Sequence, residues 1–256
     1  PLGERRAEER ASHGSAVASE FDRPAAGGSA CPSGLSGSGR PGDLILMGPP
    51  GSGKGTQARL FVDRHGWLQL STGDLFRFHL TNGTALGALA KGYMDRGAYV
   101  PDEVTVGMVR AKLAEIPPAT RIIFDGFPRT VPQAEALAGL LAERGRALGA
   151  VVLIDVPRDE LLARLGARAT CAKCQAVYSM AVRPPRVAGV CDRCGGAVSG
   201  TARPDESPEV VKRRLAVYDE QTGPVILHYA ARGLVKRVDG TGSLEEIAAR
   251  LEAAFR

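Results

Sequence analysis

Nine residues, Gly48-Pro49-Pro50-Gly51-Ser52-Gly53-Lys54-Gly55-Thr56, constrain this chain more than any other stretch. A short apolar run at residues 44–47 ends at their first glycine, and a helical stretch, Lys54–His65, begins at their lysine. A buried strand, a glycine-rich turn and a helix N-terminus in that order point successive backbone N–H groups inward, and the helix end adds partial positive charge. Such a loop suits phosphate, with Lys54 reaching the outer phosphates as a point charge. A plain glycine-rich turn is the alternative, and the strand, lysine and helix together speak against it. Gly55 stands where the general pattern has Ser or Thr, and Thr56 follows, so the hydroxyl that usually meets magnesium is shifted by one residue.

The alternation continues downstream. Residues 121–124 predict a second buried strand, residues 130–144 a helix with Pro132 in its first turn, residues 150–156 a third strand and residues 159–167 another helix. Ser207 and Pro208 open a long helix that Pro224 is expected to kink or interrupt. Residues 234–238 give a late strand, and Ser243 with Glu246 forms a capping box for the final helix. Strands alternating with helices predict an α/β fold, a parallel sheet covered on both faces.

With 256 residues the chain can build a full core without disulfides. No apolar run approaches the roughly 20 residues of a membrane span, and no charged segment leads into an apolar leader. A cytoplasmic protein with no membrane partner is expected. Residues 1–42 are rich in Gly, Ser, Pro and Ala, and their five Arg balance five acids. They are expected to be a disordered extension, leaving the net charge of +5 to a domain over residues 43–256.

Cys31 lies in the tail, while Cys171-x₂-Cys174 and Cys191-x₂-Cys194 stand 16 residues apart. Two such knuckles are a zinc signal, because four thiolates close a tetrahedron at about 2.3 Å each. Disulfides are the alternative, opposed by the lack of a leader and by the poor internal geometry of each pair in a reducing cell. Four sulfurs leave no open position, so the metal would be structural. A knuckle among Arg and Lys also suits nucleic acid, but only Tyr178 offers a stacking surface there.

The phosphate loop with its following Gln57 closely resembles that of adenylate kinases. The resemblance continues at Ser71-Thr72-Gly73-Asp74-Leu75-Phe76-Arg77, at Phe124-Asp125-Gly126-Phe127-Pro128-Arg129-Thr130 and at Val238-Asp239-Gly240-Thr241, in order and spacing over residues 43–256. It implies a P-loop nucleoside monophosphate kinase fold with two insertions, an AMP-binding subdomain at residues 71–102 and a lid at residues 167–206. The cysteine pairs match the zinc knuckle of long-lid members, which the short-lid uridylate–cytidylate kinases lack. The implied reaction is MgATP + AMP ⇌ 2 ADP by a monomer without nucleic acid. Another monophosphate kinase, or a zinc-knuckle nucleic-acid-binding P-loop protein, is the runner-up.

Site residues follow from the same resemblance. Gly51, Ser52, Gly53, Lys54, Gly55 and Thr56 would bind ATP, joined by Arg164, Arg168 and Gly242. Thr72 would contact AMP and Arg77 its phosphate, the backbone of Ala98, Tyr99 and Val100 would line its pocket, and Gly126, Phe127, Pro128 and Arg129 would also bind AMP, with Arg129 forked onto the phosphate. Gln133 would read the adenine. Arg203 and Arg214 would bridge the transferred phosphates, and Lys54, Arg129, Arg168, Arg203 and Arg214 would form the catalytic set. Asp125, at a strand end, would orient Mg²⁺ through water. From the residues alone, Ser71 or Thr72 sits where a helix would begin, as an N-cap with Asp74 in the first turn. Arg164 and Arg168, four apart, are expected on one face of the helix entering the lid. Ala169 follows Arg168 where the family often has a second Arg, and Asp205-Glu206 resembles an acidic lid latch.

Overall fold

A computed structural model describes residues 42–174, 176–180, 183–199 and 207–255. Cys31, Arg203, Asp205 and Glu206 lie outside the described residues, as does all of the expected extension except Gly42.

The central strand is β1 (Asp43–Met47), followed by the phosphate loop and α1 (Lys54–His65). On one side it pairs with β3 (Ile122–Asp125), which pairs with β2 (Leu68–Ser71); on the other it pairs with β4 (Leu148–Asp155), which pairs with β8 (Val235–Asp239). All four pairings are parallel, giving the order β2-β3-β1-β4-β8. Alternation along the strands divides the core in two. Ile45 and Met47 face a layer built by α4 (Asp102–Glu115), α5 (Val131–Ala142) and α8 (Gly223–Ala230), through Leu113, Leu137 and Val225. Leu44 and Leu46 face α1 and α9 (Leu244–Phe255), through Ala58, Phe61, Ile247 and Leu251. A doubly covered parallel sheet explains why its strands read as unbroken apolar runs.

Local chemistry sets the element ends. Ser71 Oγ accepts from Asp74 N–H at 3.2 Å and starts α2 (Thr72–Thr81). Ser243 and Glu246 exchange the two bonds of a capping box at 3.2 and 2.8 Å. The interruption expected at Pro224 is present as a π turn, Tyr218–Thr222, between α7 (Pro208–Val217) and α8. Besides the strands at residues 168–199 described below, β2, α3 (Ala85–Met94) and α4 had no counterpart in the sequence reading. Phe76, Ala90, Val100 and Met108 give α2, α3 and α4 a small core of their own.

One expectation is corrected. Helix α6 (Arg158–Gly166) stops before Arg168, which instead begins β5 (Arg168–Cys171). Arg164 and Arg168 therefore share no helix face. The helix gives way because β5 finds partners on both sides, β6 (Val177–Ser179) and β7 (Val198–Ser199), in an antiparallel three-stranded sheet.

Candidate active site

The loop after β1 curls because Gly51 and Gly53 adopt φ of 88° and 89°, a left-handed backbone that other residues rarely take. Lys54 Nζ donates to Gly48 O at 2.6 Å, Pro49 O at 2.9 Å and Ser52 Oγ at 3.2 Å, so the ammonium sits over the loop. Burial pulls Lys54 down to about 8; Asp125 opposes the fall, and Arg129, Arg214 and Arg168 add to it. The side chains named as catalytic, with Arg203 outside the described residues, thus gather within electrostatic reach of one ammonium.

Asp125 ends β3 at the sheet's carboxyl edge. Burial raises its pKa, while Lys54 and a 2.9 Å hydrogen bond from Gln69 Nε2 hold the charged form. A side chain at Gly55 would put its Cβ 3.3 Å from Asp125 Oδ2. Glycine, where the general loop carries a hydroxyl, thus leaves the space beside the carboxylate open. A buried, ionisable oxygen donor with open space beside it fits a hard cation such as Mg²⁺.

The acceptor side converges on the carbonyl of Gly126, which accepts from Thr72 Oγ1 at 2.8 Å and from Arg129 Nε at 2.7 Å. The Arg129 guanidinium lies over the Tyr99 ring at 4.9 Å. Thr222, in the π turn, donates to Arg129 O at 3.1 Å and lies 2.9 Å from Tyr99 Oη. One hydroxyl on the chain returning from the lid therefore touches both acceptor-side residues. Arg77 is paired to Asp74, and its buried Nε has no partner among the described residues. The side chains of Val100 and Phe127 are buried in the cores. Gln133 is buried and bonded to Asp102 and to the Arg129 N–H. On the other side, Arg164 is paired to Glu160 and donates to Gly240 O at 2.8 Å, which ties α6 to the turn that carries Gly242.

In the lid, the sulfurs of Cys171, Cys174, Cys191 and Cys194 all lie within 4.8 Å of one another. Cys171 and Cys194 approach to 3.5 Å and Cys174 and Cys191 to 3.6 Å, far beyond a disulfide bond of about 2.05 Å. A tetrahedron with bonds of about 2.3 Å has sulfur–sulfur edges of roughly 3.8 Å, so the four sulfurs fit a metal. A Cβ on Gly196 would come within 3.3 Å of two of them. Tyr178 Oη donates to Cys191 Sγ at 3.3 Å and accepts from Asp192 N–H at 2.8 Å, an outer layer that orients a ligand sulfur.

Sequence reasoning missed Gln69, Asp102 and Thr222. Each acts across 28 or more residues of chain, on Asp125, Thr130 and Arg129 respectively, and carries no local signal.

The adenylate kinase family profile matches residues 46–234. The chain is 49% identical over 214 residues to an adenylate kinase of Citrifermentans bemidjiense, an alignment covering 84% of this chain and 99% of the relative. It is 49% identical over 213 residues to that of Carboxydothermus hydrogenoformans, covering 83% and 99%, and 44% identical over 214 residues to that of the archaeon Methanosarcina barkeri, covering 84% and 98%. Such identity, sustained over nearly the whole length of these relatives, makes this chain a member of the adenylate kinase family.

Proposed function

We propose that the chain transfers the γ-phosphoryl group of MgATP reversibly to AMP, giving two ADP. The reading rests on one observation: Lys54, Asp125, Arg129, Arg168 and Arg214, from separate elements, gather around the phosphate loop at the carboxyl edge of the parallel strands. An AMP phosphate oxygen attacks the γ-phosphorus, the bond to the bridging oxygen breaks, and ADP leaves with that bond's electrons. The attacking oxygen is already anionic, so no general base is required. Charge accumulates on the equatorial oxygens instead, and fixed cations answer it.

The loop N–H groups of Gly51 to Thr56 and Lys54 hold the donor phosphates in this reading, with Arg164 and Gly242 beside the donor base. Thr72, Arg77 and Arg129 hold the acceptor phosphate. Ala98, Tyr99, Val100, Gly126, Phe127 and Pro128 wall the pocket, and Gln133 faces the base. Arg168, Arg203 and Arg214 bring charge from the lid side, Arg203 on motif match alone. Asp125 would hold Mg²⁺, which would supply positive charge to offset that of the phosphates. Zinc is the proposed occupant of the four lid sulfurs, where a closed S₄ set makes it structural. Cysteines that are free among the described residues fit the cytoplasm, and a monomer is part of the same proposal.

An acceptor panel tests this. With MgATP as donor, kcat/KM for AMP is expected to exceed that for UMP and GMP. Faster turnover of UMP or GMP would make the chain a kinase of that nucleotide.

A further inference from the structure

Gln133 is held at both ends by partners of fixed polarity. Its Nε2 donates to Asp102 Oδ1 at 2.7 Å, and its Oε1 accepts from the Arg129 N–H at 2.8 Å. A carboxylate only accepts and a backbone N–H only donates. Turning the amide over would set N–H against N–H at one end and carbonyl against carboxylate at the other. Gln133 is 1% exposed in the free chain, so water is not at hand to relieve either mismatch, and a base would reach the amide only where a shift of its neighbours uncovers it. Asp102 is itself pinned, because its Oδ2 accepts from Thr130 Oγ1 at 2.7 Å. It opens α4 immediately after Tyr99, Val100 and Pro101, so the acceptor segment and α5 are joined through its carboxylate.

An amide carries two N–H donors and two lone pairs, and one of each remains unused here. From this we infer that Asp102 is a positioning residue that sets base selectivity by locking the orientation of the Gln133 amide. The inference rests on the reading that Gln133 faces the acceptor base. A locked amide offers its lone pair and its N–H in one order only. A 6-aminopurine donates from N6 and accepts at N1, whereas a 6-oxopurine accepts at O6 and donates from N1. One order matches the first and refuses the second.

The test compares AMP with inosine monophosphate, which differs at the 6-position and lacks the bulk of a 2-amino group. Asp102→Asn keeps the shape but can donate as well as accept, so one end of the lock is released. The ratio of kcat/KM for AMP over IMP is expected to fall about tenfold or more, carried by KM rather than kcat. An equal loss for both acceptors would mean that Asp102 only supports the fold, and would overturn the lock. Gln133→Ala separates the two levels. If it keeps the full preference for AMP, Gln133 does not face the base and the underlying reading fails. If it abolishes the preference while Asp102→Asn leaves it whole, only the lock fails. Calorimetric binding of AMP and IMP to the full chain gives the same comparison where turnover is too slow.

Discussion

Lys54 occupies an unfavourable position in the free chain. A lysine titrating near 8 instead of 10.5 reflects on the order of 3 kcal/mol spent on burying its charge among Arg129, Arg168 and Arg214. The sign of the pH dependence follows. The folded chain loses this proton as pH rises through about 8, while the unfolded chain keeps it up to about 10.5, so this group's contribution to stability grows across that window. Nucleotide binding runs the other way, since phosphate needs the ammonium. ATP affinity is therefore expected to fall above pH 8 in titrations from pH 7 to 10. Lys54→Met should lose about 10²–10³-fold in kcat/KM while melting at or above the parent temperature. Turnover like the parent's would refute the role given to Lys54.

At the scale of elements, the sheet is stapled by a contact between residues 103 apart. Asp43 in β1 accepts from Arg146 Nε at 2.8 Å and Nη2 at 2.6 Å, and from the Ile122 N–H of β3 at 2.9 Å. Arg146 also donates to Thr120 O at 2.5 Å and Pro118 O at 3.1 Å. The two side chains are 4% and 8% exposed, so removing one strands a buried charge. Arg146→Met is expected to cost about 3–5 kcal/mol in urea unfolding. A loss below about 1 kcal/mol would show that water reaches Asp43 freely.

The same scale shows what the sequence could convey. The ends of α1, the cap at Ser71 and the capping box at Ser243 are written in adjacent residues, and each is found where it reads. The loop and the cysteine pairs are equally local, so the curled loop ahead of α1 and the cluster of four sulfurs were legible from spacing. β2 was not: four residues, Leu68–Ser71, form a strand only because β3 lies alongside them. Arg168 was misplaced for a related reason, since sheet partners decide its conformation against a locally plausible helix. The grips of Gln69 on Asp125 and Asp102 on Gln133 are products of topology, and no window of the sequence contains both partners.

For the whole molecule, the main sheet and the lid draw on different sources of stability. The sheet has two aliphatic layers, whereas the lid's own cluster is Ala169, Cys171, Tyr178 and Cys191, with Cys174, Ala176, Cys194 and Val198 against it. Chelation is thus expected to lower or abolish a separate lid transition in calorimetry while the main transition stays within a few degrees. An identical trace with and without chelator would contradict the metal assignment. No helix among the described residues is long and apolar enough to cross a membrane.

The lid cluster has a consequence for supply. Among the described residues, no Leu, Ile or Phe belongs to it. On the proposal that the four sulfurs hold a metal, a segment so poor in aliphatic reserve would take much of its order from that ion, and the contribution would rise with the logarithm of free metal. The rest of the chain has a stability written once, in its sequence. The lid's would be set anew by the surrounding solution, so one gene product would span a range from firm cover to slack loop as the local metal pool fills or drains.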